Sequence, residues 1–455
     1  MSSRIVPPAT APAHPPVVRS FFTPFALARL LVTHPYISEA IGHASFSEVS
    51  DESGQRTIGH MESTNQRITL WMALASGISV ANLYYSQPLL VQMGRTFGVG
   101  HTVGYIPTFT LVGLVIGMLL LAPLGDMFER RRLITVVCVC ASLATGAVAV
   151  APNFTWLAIA SLLVGTTSIV QHLILPFAAQ IAPYRERGKT VGIVLSGMMI
   201  GALLARTVSG FVGAELGWRI MYCIAATLML GIAVIVNSVF PERSPSEAIS
   251  YRELLRSLIT IAREQPLLRE SSLIGAMLFG ALNAFWVNLI FFLGTPPYHY
   301  GERAVGLFGL IGAVSAAAAP LIGRLADRKG ARFGVSLSLI TSLTAFIGLW
   351  LFGEMLPALI GCVILLDAGV QAGQVTNQTR IYALAPTAPS RVNTIYMASF
   401  FGGGALGAAL GAYGWDGMQW TGVCIVGTAM LVIALGIHLG DRERVVPGAG
   451  YAAAK

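Results

Sequence analysis

Ala122-Pro-Leu-Gly-Asp-Met-Phe-Glu-Arg-Arg-Arg132 and Gly323-Arg-Leu-Ala-Asp-Arg-Lys-Gly-Ala-Arg332 are the two stretches that decide how this chain folds. Each joins two long apolar runs, and each carries an Asp followed by a basic cluster. Asp126 and Asp327 stand 201 residues apart. Trp218 and Trp420 open apolar runs 202 residues apart, and Ala182-Pro183 and Ala385-Pro386 close runs 203 apart. Three landmarks at nearly one offset predict two copies of one unit.

The runs around these stretches set the class. Charged residues make up 11% of the 455 residues and hydrophobic ones 55%. A soluble domain carries roughly 25% charged residues, so a surface this poor in charge faces lipid. A membrane-crossing helix needs about 20 mostly apolar residues. Twelve segments qualify: 68–90, 103–124, 132–151, 155–181, 189–213, 218–240, 270–294, 303–325, 331–353, 356–379, 391–413 and 418–439. They are too long and continuous for barrel strands, and helices satisfy their own backbone in lipid. The 49 Gly suit close helix contact, where small residues let backbones approach. The expected fold is an all-α membrane protein of twelve transmembrane helices in two pseudo-symmetric six-helix bundles.

Basic residues fix the orientation, because Lys and Arg stay on the cytoplasmic side. With the N-terminus inside, seventeen Lys or Arg fall in inside loops, among them Arg130, Arg131, Arg328 and Arg380, and only Arg95, Arg219 and Arg303 fall outside. Both termini are then cytoplasmic in a multi-pass protein of a bacterial-type inner membrane. The net charge of +8 is spread over these loops, which argues against nucleic acid as a partner. Expected boundaries are a bundle over 67–240, a cytoplasmic linker over 241–269, a second bundle over 270–440 and a tail over 441–455. Residues 1–66 are rich in Pro and Ser and read as a disordered cytoplasmic tail, or as an extension upstream of a start at Met61. Cys138, Cys140, Cys223, Cys362 and Cys424 lie in apolar runs and read as small buried hydrophobes.

Ionisable residues inside lipid are costly and mark function by default. Three lie well inside spans: His172, Arg206 and Asp367. Asp367 begins a stripe with Gln371, Gln374 and Gln378, whose spacings of four, three and four share one helical face. The depths of Arg206 and Asp367 allow an ion pair between the halves that forms in one state and separates in another. The alternative is a static pair, or pairing with backbone carbonyls. His172 is a candidate proton relay or a helix-to-helix hydrogen-bonding group. Further polar residues cluster in three spans: Asn82, Tyr84, Tyr85 and Gln87; Gln171 beside His172; and Asn283, Trp286 and Asn288. Tyr84 and Tyr85 can stack on a solute ring or pack against neighbours.

The chain resembles the major facilitator superfamily through Gly323-x-x-x-Asp327-Arg328-x-Gly330 and its first-half copy with Asp126, Arg130 and Arg131. More narrowly, Ala81-Asn-Leu-Tyr-Tyr-Ser-Gln-Pro88, Arg206-Thr-Val-Ser-Gly210 and Asp367-x-Gly-Val-Gln371 are similar to a bacterial branch of efflux permeases. The resemblance covers 67–440. It implies that spans one, four, seven and ten line a central cavity, that the two Asp loops latch the closed cytoplasmic side, and that the protein is a monomer. An Asp at a helix end also accepts from orphan N–H groups of a neighbouring helix. The first-half copy has Ala122, Met127 and Glu129 where the family has Gly, Arg and Gly. The fourth span lacks a central Arg, and the fifth, with Gly197, Gly201 and Gly210, lacks the Gly-Pro of antiporters.

The leading expectation is a proton-coupled secondary transporter exporting a small organic solute by alternating access. Uptake symport or uniport by the same fold is the alternative. A non-transporting sensor and a membrane enzyme rank below both. The chain offers no paired carboxylates, nucleotide-binding loop, metal cluster or Ser/His/Asp arrangement, so no catalytic, metal or cofactor site is expected.

Overall fold

The computed structural model describes residues 52–183, 186–242, 251–312, 314–315, 330–384 and 389–440, without the side chains of 52–65, 126, 254–255 and 389–390. Among the described residues the elements are helical. They are α1 (Glu52–Ala81), α2 (Ser86–Phe97), α3 (Ile106–Leu120), α4 (Arg130–Ala149), α5 (Phe154–Thr167), α6 (Val170–Ile181), α7 (Arg187–Leu216) and α8 (Trp218–Val239). There follow α9 (Tyr251–Glu264), α10 (Pro266–Gly294), α11 (Ala331–Phe352), α12 (Leu356–Tyr382) and α13 (Pro389–Gly440). Ten helical segments among the described residues are long and apolar enough to cross a membrane. The last, Arg391–Gly440, is 50 residues long and breaks at Gln419 (φ 51°, ψ −133°), so it supplies two spans. The expected eighth span, 303–325, is described over 303–312 and 314–315, with a helical stretch over 302–312.

The expected tail over 1–66 needs one correction. Residues before 52 lie outside the description, but α1 already begins at Glu52. No Pro stands between Glu52 and the apolar run, so nothing in the backbone stops the helix from extending upstream.

The duplication is visible in the packing. The residue before Trp218 is Gly217, at φ 87°, and the residue before Trp420 is Gln419, also at positive φ. Each indole N–H then ties the turn to a neighbouring element, Trp218 to Thr96 Oγ1 and Trp420 to the Leu349 carbonyl, both at 3.0 Å. Glycine crossings repeat as well. A Cβ on Gly77 would lie 2.6 Å from the Gly197 carbonyl oxygen, and one on Gly280 would lie 2.7 Å from that of Gly403. Those are the crossings of the first span on the fifth and the seventh on the eleventh. Any larger residue at either would push two backbones apart.

The two ends of the molecule differ. At the end away from the basic loops, Thr207 donates to the Gly306 carbonyl at 2.8 Å and Arg303 pairs with Glu215. His101 stands edge-on to Phe291 and Trp415, with ring centroids 5.0 and 6.0 Å away. These contacts join elements of the first and second repeats. At the basic end, Arg131 pairs with Glu242 at 3.1 Å and the Tyr251 hydroxyl donates to the Leu120 carbonyl at 3.0 Å. Arg130 opens α4. Gly330 precedes α11 at φ 93°, a conformation that favours glycine. Gly323, Asp327, Arg328 and the side chain of Asp126 lie outside the described residues, as do Ala385 and Pro386.

The cysteine reading holds for part of the set. Cys138 and Cys424 are buried and Cys362 is half-buried, whereas Cys140 and Cys223 are exposed. Both sit on apolar helices, so their exposure is to lipid. A small thiol is at home there as well as in a core.

Candidate functional site

A cavity of about 350 Å³ lies among the first, fourth, fifth, seventh, eighth, tenth and eleventh spans. Two of these spans are broken. Between α1 and α2, residues 82–85 tighten into i→i−3 bonds, such as Tyr84 N–H to the Ala81 carbonyl at 3.0 Å. Pro88 has no N–H to donate and sits in the first turn of α2, where none is needed. Between α5 and α6 the break falls at Ser168 and Ile169. Pro176 removes the helical donor that the His172 carbonyl would otherwise receive. Non-helical backbone at membrane depth is tolerated where it borders protein or a cavity. Here the breaks place Tyr84, Gln171 and His172 on the cavity wall.

Arg206 lines the cavity at the end away from the basic loops. Its Nε donates to Gln87 Oε1 at 2.7 Å. Its guanidinium is stacked between two rings, 4.4 Å from the Tyr84 centroid and 4.2 Å from that of Trp286. Desolvated cation–π contacts of this kind reach about 2 kcal/mol. They offset part of the ~2.5–3.5 kcal/mol that insertion scales assign to a charge at bilayer depth. Trp286 also uses its edge, donating its indole N–H to Asp367 Oδ1 at 3.3 Å. Arg206 and Asp367 are each 8% exposed, and no ion pair within 4.0 Å joins them. One indole therefore holds the cation on its face and the anion at its rim.

From this charged end the cavity runs toward the basic loops. One wall carries Gln371, Gln374 and Gln378 of α12, with Gln378 Nε2 reaching Asn393 Oδ1 at 3.4 Å. Ser79 fixes Gln171 from behind, donating to its Oε1 at 2.8 Å. Apolar lining comes from Met198, Phe279, Phe400 and Phe401. Phe279 and Phe400 are stacked with centroids 4.2 Å apart. The His172 ring lies edge-on to Phe401 at 6.0 Å. Its Nε2 is buried without a partner among the described residues.

The model of the major facilitator superfamily matches residues 72–408. The chain belongs to that superfamily. It is therefore a multi-pass membrane transporter of a family that carries small-molecule solutes, and not an enzyme. Over 365 residues it is 35% identical to the putative uncharacterized transporter YgaY of Escherichia coli (strain K12), covering 80% of this chain and 93% of the relative. Over 367 residues it is 32% identical to the probable transporter SCO4007 of Streptomyces coelicolor, covering 80% and 84%. Among solved structures, a bacterial homolog to the human lysosomal transporter Spinster, inward-facing and unoccupied, has a similar fold. Its TM-score is 0.67 at 16% identity, over 82% of this chain and 96% of that one.

In this superfamily member the polar residues singled out in the sequence fall into two groups. Tyr84, Gln171, His172, Arg206, Asn283, Trp286, Asp367, Gln371, Gln374 and Gln378 line the cavity, and Gln87 holds Arg206 from behind. Asn82, Tyr85 and Asn288 lie outside the wall and point into helix contacts. Both side-chain ends of Asn82 are buried without partners among the described residues, and Asn288 donates to its own helix at the Ala284 carbonyl, 2.9 Å away. Tyr85 packs into the core at 4% exposure.

A second ionic cluster escapes sequence reasoning. At the basic end of the second repeat, Arg380 grips both Glu270 oxygens at 3.1 and 3.2 Å. His438 Nδ1 lies 3.8 Å from the same carboxylate, and its Nε2 is 2.8 Å from Ser336 Oγ. Glu270 and His438 are 8% and 2% exposed. At the ends of spans they read as loop charges. The apolar residues Phe400 and Phe401 were likewise invisible as wall residues, although the Gly402-Gly-Gly404 run after them marks a close helix approach.

Proposed function

We propose that this transporter exports a small organic solute from the cytoplasm in exchange for protons, by alternating access of the cavity. The observation that carries the reading is the charged cluster of Arg206, Trp286 and Asp367, buried at the head of a cavity among spans of both repeats. A lipid-embedded chain retains such charges against a cost of several kcal/mol only where they work. Asp367 is the proton-accepting group, because it is the carboxylate on the cavity wall. Export is supported by the resemblance of the Ala81–Pro88, Arg206–Gly210 and Asp367–Gln371 stretches to efflux permeases.

The basic loops support a cytoplasmic position for their end of the molecule, and in this reading the cavity runs toward the cytoplasm. Residues 67–240 and 270–440 are the two bodies that rock, joined by the linker 241–269. Contacts of Thr207 with Gly306 and Arg303 with Glu215 close the outer side in this state. The loops with Asp126 and Gly323, Asp327 and Arg328 latch the cytoplasmic side in the opposite one. The test is a counterflow screen in proteoliposomes with a panel of amino acids, organic acids, sugars and aromatic amines, with internal pH recorded. Solute-dependent proton movement is the expected result. Solute flux with no proton movement would leave a uniporter, and the absence of any flux would remove the transport assignment of the cavity.

A further inference from the structure

Arg206 and Asp367 carry opposite charges, face one cavity and do not pair. Opposite charges this close in a medium of low dielectric attract strongly. Trp286 keeps them apart, holding the guanidinium on its ring face and the carboxylate on its N–H. Each group is left with an unused edge. Nε of Arg206 is taken by Gln87, while its two terminal nitrogens have no partner among the described residues. Oδ1 of Asp367 is taken by Trp286, while Oδ2 has no partner among the described residues. Both side chains are more than nine-tenths buried and both line the cavity.

We propose that the solute is a zwitterion of the amino-carboxylate type. The inference rests on the transport reading of the same site and names its substrate class. A planar carboxylate matches the two terminal nitrogens of a guanidinium, which form a rigid fork. The ammonium of the solute then lies on Asp367 Oδ2. A simple anion on Arg206 would stand beside the Asp367 charge, and a simple cation on Asp367 would stand beside Arg206. A dipole of fixed spacing satisfies both without placing like charges together. The apolar side group of the solute lies on Phe279, Phe400, Phe401 and Met198, and the glutamines of α12 take its polar atoms. Proton and ammonium compete for one carboxylate, which is what exchange of one for the other requires.

The test uses the full chain, purified in detergent, with probes that share one body. L-Phenylalanine carries both charges, L-phenylalaninamide lacks the carboxylate, 3-phenylpropionate lacks the ammonium, and 3-phenylpropanamide lacks both. The other standard amino acids complete the panel. Binding is read from thermal stabilisation and indole fluorescence. Zwitterions are expected to bind at least about tenfold more tightly than their single-charge congeners, because each congener leaves one buried charge unmatched. Arg206→Lys keeps the charge, loses the fork, and should weaken the zwitterion while leaving the amide unchanged. Asp367→Asn keeps the shape and should weaken the zwitterion while tightening 3-phenylpropionate, whose charge no longer stands beside a carboxylate. Equal binding of any congener, or failure of every zwitterion at millimolar concentration, overturns the inference. The two readings fail separately. Transport of a non-zwitterionic solute leaves the transporter standing and this inference fallen, whereas a zwitterion that binds without crossing the vesicle membrane does the reverse.

Discussion

The two buried ionic clusters of this protein are built on opposite plans. Glu270, Arg380 and His438 lie within the second repeat, and the carboxylate is gripped at both oxygens. Arg206 and Asp367 come from different repeats, share Trp286 and do not touch each other. The first cluster is closed on itself, so its charges hold three spans together. The second is open toward a cavity, so its charges are available to something that enters. Burial alone does not distinguish them, since Glu270, Arg206 and Asp367 are each 8% exposed. What distinguishes a fastening from a site here is whether both oxygens of the carboxylate are used up.

Substitutions should separate the two plans. The largest stability effect is expected for Glu270→Ala, which strands Arg380 as a buried charge. Removing one partner of such a pair costs about 3–5 kcal/mol, to be read as a lowered melting temperature in detergent. Asp367→Ala should cost well under half of that, because its carboxylate opens on the cavity. If the two variants melt alike, the contrast between the clusters is wrong. Trp286→Phe keeps a ring over Arg206 and removes the N–H to Asp367. A hydrogen bond to a charged group is worth ~1.5–3 kcal/mol, so initial transport rates should fall by roughly tenfold to a hundredfold, with a drop in melting smaller than that of Glu270→Ala.

Arg380→Lys tests the closed cluster, in which one terminal nitrogen of Arg380 donates to both Glu270 oxygens and the other donates to Asn377 Oδ1. Losing the bond to Asn377 should lower stability by about 1 kcal/mol and leave solute affinity unmoved. A shift in affinity would tie this cluster to the cavity. The smallest effect is expected for Ser79→Ala, which removes the bond to Gln171. Hydrogen bonds between membrane helices average about 0.6 kcal/mol, so transport should change by no more than about threefold.

How much of this was legible in the sequence follows from what each feature depends on. Spans are local, and a run such as 218–240 announces itself by length and composition. The repeat is local twice over, and its landmarks proved to be turns: Gly217 before Trp218 and Gln419 before Trp420. The stripe of Asp367, Gln371, Gln374 and Gln378 was readable because four residues on one helical face need only one helix. Trp286 was named as polar content of its span, but its place between Arg206 and Asp367 depends on where three spans meet. Spacing along one helix also cannot say which face is wet, so Asn82, Tyr85 and Asn288 were grouped with residues they do not join. Glu270, Arg380 and His438 look like solvated span ends one at a time, and become a buried cluster only when α10, α12 and α13 are brought together.

The central claim is that the open cluster carries the coupling and the closed one does not. Solute-driven proton movement in proteoliposomes, compared between the native protein and Asp367→Asn with the solute found by counterflow, tests it most directly. The account predicts that the native protein moves protons with the solute, and that Asp367→Asn is folded but moves none. Native-like proton movement by Asp367→Asn would contradict it.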